Sequence, residues 1–186
     1  MRLTRTIAPA LALALALAPA AAGEKPDAAR KRFRIDMMAK QTLERLLERN
    51  EGARRLYRKS AGYAVFDAVK IAFGVSGGGG VGVAVDRKSG ERTYMKMGTA
   101  GVGFGLGGQR YQVVLFFETP RAFRRFVESG WQADVSASAA AGNKGANAVA
   151  AFNEGVAVFR LTEKGLMANA DLAGVKFWRS KKLNAR

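Results

Sequence analysis

The sequence predicts an α+β fold: amino-terminal helices, then a curved or barrel-like, mainly antiparallel sheet, with one further helix at about residues 119–129. Three observations predict it. Helical patterning is concentrated in residues 26–60 and in that later helix. From Ile71 to Val85, and again from Gly101 to Gly107, bulky and small residues alternate with the period of a strand. The links between strands are of hairpin length, whereas a parallel nucleotide-binding sheet needs a long crossover for each pair.

The first residues read as a secretory leader. Arg2 and Arg5 supply a positive start, Leu11 to Ala18 an apolar stretch too short to span a bilayer, and Ala20-Ala21-Ala22 a small-residue cleavage site. The expected organisation is a signal peptide over 1–22 and a single domain with a helical lead-in over 23–186. The expected location is the periplasm. With no cysteine, the mature chain is not expected to be a lipoprotein.

Pro26 and Asp27 suit a first helical turn, and the pattern runs to about Asn50. Phe33, Met37, Met38, Leu43, Leu46 and Leu47 are assigned to its apolar side. Arg30, Lys31, Arg34 and Lys40 are assigned to the other. Gly52 is read as the break before a second helix, Ala53 to Ser60. That helix carries Ala53, Leu56 and Tyr57 with Arg54, Arg55, Arg58 and Lys59.

Tyr63 to Phe66 reads as a short strand, and Ile71 to Val85 as another with a break at Gly77–Gly80 left open. Asp86 to Gly90 is a turn. Arg92 to Ala100 and Val102 to Leu106 form one bent strand or two. Tyr111 to Phe117 suits a strand buried on both faces. Thr119, Pro120 and Gly130 are an N-cap, a first helical residue and a stop. Trp131 to Ala141 returns to alternation, and Gly142 to Ala151 reads as a loop. Val156 to Leu161 and Leu166 to Phe177 read as a hairpin around Thr162–Gly165, before a basic tail.

Composition prunes the chemistry. The 186 residues hold 31 Lys and Arg against 15 acids, a formal net charge of +16. Such a surplus favours anionic partners. There is no His and no Cys. Disulfides, thiol nucleophiles, Ser-His-Asp arrangements and the usual transition-metal sites are therefore not expected, nor is a cofactor. Gly77-Gly78-Gly79-Gly80-Val81-Gly82 matches a dinucleotide fingerprint in letters only. A strand follows it, not the helix whose amino terminus holds the pyrophosphate. The glycines are read instead as permitting a bulge, sharp curvature or close backbone packing. Asp134, Ser136 and Ser138 read as the wet side of a strand.

A basic amphipathic helix carrying Phe and Met suits a membrane interface. The candidate lipid-binding residues are Arg30, Lys31, Phe33, Arg34 and Met37, with Arg54, Arg55, Arg58 and Lys59 on the second helix. Nucleic acid is not an expected partner for an exported chain.

Several segments, in order, resemble the SYLF-domain family: Gly62-Tyr63-Ala64-Val65-Phe66, the glycine run through Asp86, Arg92 to Met97, Val102 to Gly107, Phe126 to Trp131, and Gly165 to Trp178. The resemblance covers most of the mature chain and implies a non-enzymatic lipid-binding module. Eukaryotic members are associated with phosphoinositide-rich membranes and actin. Bacterial members are typically secreted envelope proteins, and for an exported chain anionic phospholipid is the more transferable ligand. This sequence departs from the family in lacking a lipoprotein cysteine and in placing Ser136 or Ser138 where an acid is common. The expected function is docking on an anionic phospholipid surface through a basic face. The alternative is a structural envelope protein whose glycine-faced strands receive a protein partner or a second copy.

Overall fold

The computed structural model describes residues 26–133, 151–162, 165–168 and 174–185. The leader, the row Asp134, Ser136 and Ser138, and most of the Gly142–Ala151 segment lie outside them. The fold is α+β, and every strand pairing among the described residues is antiparallel. Helices α1 (Pro26–Arg49) and α2 (Glu51–Lys59) lead into strands β1 (Gly62–Asp86) and β2 (Arg92–Phe117). Then follow α3 (Pro120–Ser129), β3 (Trp131–Ala133), β4 (Val156–Thr162), β5 (Gly165–Ala168) and β6 (Val175–Arg179).

The chain breaks between the helices at Asn50. Its side chain caps α2 by accepting from the Ala53 amide at 2.7 Å, so Gly52 lies within the helix and is not the break. The segments Tyr63–Phe66 and Ile71–Val85 are one continuous strand, and β2 is likewise unbroken. These two strands form one long hairpin closed at Asp86. The Asp86 carboxylate accepts from the amides of Ser89 and Lys88 at 2.9 and 2.8 Å, which holds it below the usual carboxylate range. The expected hairpin around Thr162–Gly165 forms between β4 and β5. Its second arm does not run on to Phe177. Val175–Arg179 is a separate strand that pairs with β3 and with the start of β2.

The hairpin doubles back on itself. Its register shifts between Phe73 and Gly74. Around that point the second half of β1 returns over the first. A Cβ on Gly78, Gly80 or Gly82 would collide with the carbonyl oxygen of Val69, Asp67 or Val65 respectively. The bare face of β1 is therefore filled by β1 itself, backbone against backbone, an approach only glycine permits. The turn thereby reaches the hairpin's base. Arg87 donates its amide to Ala61 O at 3.0 Å, and its Nη1 donates to the carbonyls of Tyr57 and Ser60 at 2.8 Å each. Its guanidinium also lies 4.4 Å from the Tyr57 ring centre.

The strand faces part the core in two. One face packs Phe66, Met95, Met97, Leu115, Phe117 and Phe177 under Phe123 and Phe126 of α3. The other packs Val65, Val83, Tyr94, Val114 and Phe116 under Ile35, Ala39, Leu43 and Leu46 of α1 and Leu56 of α2. Each large aliphatic side chain so buried contributes about 1.5–3 kcal/mol. Residues 113–117 are buried on both faces, as their apolar run predicts.

Candidate functional site

The buried stripe of α1 is Ile35, Ala39, Thr42, Leu43 and Leu46. At 3.6 residues per turn, this stripe leaves Phe33 and Met37 roughly opposite. Phe33 is 66% exposed and Met37 42%. This corrects the sequence expectation that they share one apolar side with Leu43 and Leu46. They share the solvent face with Arg30, Arg34 and Lys40.

Polar contacts seat α1 firmly on the sheet. The Tyr94 hydroxyl donates to Asp36 at 3.0 Å, and Arg92 approaches the other Asp36 oxygen at 3.7 Å. Burial, then the bond to Asp36, pushes the Tyr94 hydroxyl up to about 12. The carboxy-terminal turn is seated beside it. Asn184 Nδ2 donates to Tyr94 O at 2.7 Å, its Oδ1 accepts from the Tyr94 amide at 2.9 Å, and Arg32 donates to Leu183 O at 2.8 Å.

Helix, sheet and turn together enclose an open groove of about 540 Å³. Its cationic lining is Arg30, Lys31 and Arg34 from α1, Lys96 from β2 and Lys182 from the turn. Phe33, Ala28 and Leu183 supply apolar surface. The acid in the lining is Asp27, which Arg30 pairs with at 3.3 Å. Such a groove can accept an oxyanion while Phe33 and Met37 meet an apolar layer.

The structure does not bring Arg54, Arg55, Arg58 and Lys59 into this groove. They are exposed on α2, which follows α1 after the break at Asn50. Arg30 and Arg49 alone lie roughly 29 Å apart along the helix at 1.5 Å per residue. Lys96 and Lys182 escaped the sequence reading. The basic tail signalled Lys182, but only strand pairing and the Asn184 contact place it beside α1. Among the described residues no His, Cys, Asp or Glu cluster suits a metal, and no helix is long and apolar enough to cross a membrane.

Residues 98–186 match a family model, Ysc84, described as Las17-binding protein actin regulator. The chain is also 41% identical over 152 residues, 82% of its length, to Beta cell expansion factor A of Aeromonas veronii. Residues 98–186 belong to the SYLF (Ysc84) family. The chain spans 58% of that relative's length. The family is one of binding domains, related to lipid and actin binding. Within this chain the family match takes in Lys182 of the groove, whereas the longer alignment with the relative is long enough to include part of α1.

Proposed function

We propose that this protein is an exported, non-catalytic lipid-binding module that docks on anionic phospholipid through the groove and the outer face of α1. The observation that carries the reading is the juxtaposition of five groove cations with exposed Phe33 and Met37. Each cation near an anionic surface contributes about 1 kcal/mol of attraction, and an apolar side chain at the boundary adds insertion. The leader-like first 22 residues support a periplasmic location, where the ligand is the headgroup of an envelope phospholipid. Actin contact, which the family description names, is not carried to an exported chain. The alternative of protein contact through the glycine-faced strands has lost one face, since β1 occupies its own Gly78–Gly82 surface.

Co-sedimentation with vesicles tests the reading. The protein should pellet with phosphatidylglycerol-containing vesicles, remain in solution with pure phosphatidylcholine, and be released by high salt. Equal retention on both vesicles, or none on the anionic ones, would overturn it.

A further inference from the structure

We infer that Trp178 is a second interfacial anchor, carried by the sheet and not by the helix, which meets the headgroup–acyl boundary of the same anionic bilayer. The inference rests on the docking reading above and extends its surface.

The chain has two tryptophans, and the structure uses them differently. Trp131 stacks on Phe177 with ring centres 5.9 Å apart and planes within 8°, at the edge of the core under α3. Trp178 points to the opposite face of β6 and is 39% exposed. Its six-membered ring lies across Gly98. Cη2 and Cζ3 sit 3.2 and 3.3 Å from where a Cβ on that glycine would project. The backbone of β2 thus forms a shelf that holds the indole in place and leaves its outer surface open.

Cations surround that shelf. Lys96 lies directly opposite Trp178 in the strand register, and Lys176 lies opposite Gly98. Paired residues and residues two apart share a sheet face, so Lys96, Lys176 and Trp178 point the same way. Lys96 also lines the groove with Phe33 and Arg34. The tryptophan surface and the helix surface therefore meet at one lysine. A half-exposed indole among lysines has the amphipathic character that places tryptophan at membrane–water interfaces. Two anchors on different elements would fix the tilt of the molecule on the bilayer, which one helix cannot do.

Fluorescence distinguishes this inference from the docking reading beneath it. In a Trp131→Phe background Trp178 is the sole tryptophan emitter. With vesicles of phosphatidylglycerol and phosphatidylcholine brominated high on the acyl chain, its emission should shift to the blue and be quenched on binding. Trp178→Ala in the otherwise native chain should weaken vesicle partitioning about tenfold. Circular dichroism verifies that both variants fold. Co-sedimentation without quenching, or undiminished binding by folded Trp178→Ala, overturns the second anchor and leaves docking through α1 intact. Failure of the native protein to bind anionic vesicles removes both.

Discussion

The first half of α1 and the whole of α2 carry similar densities of positive charge, yet the fold treats them differently. In α2, Arg58 and Lys59 occupy the last turn, where the helix dipole favours cations, and Arg87 binds the carbonyls that the helix leaves open. Leu56 is buried and the Tyr57 ring lies beneath Arg87. Among the described residues, no exposed large apolar side chain lies on α2. In α1, Arg30 and Lys31 stand in the opening turns, where the dipole disfavours them, and Asp27 is the acid of the first turn. Exposed Phe33 and Met37 accompany them. Further along, Lys40 pairs with Glu44, and Glu48 follows. The contrast teaches that Arg58 and Lys59 are accounted for by the helix they stabilise, and that α2 sets no exposed large apolar side chain beside its charge. Charge at the start of α1 is not so accounted for, and it coincides with apolar surface.

The comparison is broken most directly by reversing charge on each side. Arg34→Glu with Lys96→Glu should lower partitioning onto anionic vesicles by on the order of a hundredfold in about 0.1 M salt. Arg54→Glu with Arg55→Glu changes net charge equally, yet should cost less than about threefold, since a Debye length of about 8–10 Å screens α2 from the groove. Equal losses would mean that binding reads total charge and not the groove.

Arg87→Ala sharpens the other side. It should lower unfolding stability by about 1–2 kcal/mol in a urea titration, through lost charge-assisted hydrogen bonds and the Tyr57 contact. Vesicle binding by the folded variant should be unchanged.

The smallest expected effect concerns the bond that seats α1. Tyr94 has its folded pKa raised from 10.0 to about 12, so the neutral hydroxyl is the form the fold favours. The unfolded chain gives up this proton first as pH rises. The contribution is complete below about pH 10 and is lost as pH climbs towards about 12. Urea midpoints across that window should fall in the native protein and fall less steeply in Tyr94→Phe.

Much of this architecture is legible in the residues, because local chemistry suffices for it. Thr119, Pro120 and Gly130 bound α3 as their capping roles require, and Gly130 takes a φ of 73°. Asp86 and Gly90 close the turn. The side of α1 on which Phe33 lies was also encoded, by the spacing of Ile35, Ala39, Leu43 and Leu46. Counting apolar residues without fixing that register assigns Phe33 and Met37 wrongly. The occupant of the glycine face was not legible. Alternation identifies a bare surface but not what fills it, and here the occupant is the earlier part of the same strand, Val65 to Val69. Lys96 was hidden for a similar reason: it joins the groove only through strand pairing and the seat of the carboxy-terminal turn.

The doubled hairpin also imposes an order of assembly. The seat of α1 draws Val65 from the first half of β1, Val83 from the second, Tyr94 and Val114 from opposite ends of β2, and Leu183 from near the carboxy terminus. Such contacts are distant in sequence and slow to close, and none can be complete before the hairpin has folded over. The seat of the helix that leads the chain is therefore complete only with the folded hairpin. An unfolded chain carries every cation of the groove but not the groove, which belongs to the finished molecule alone.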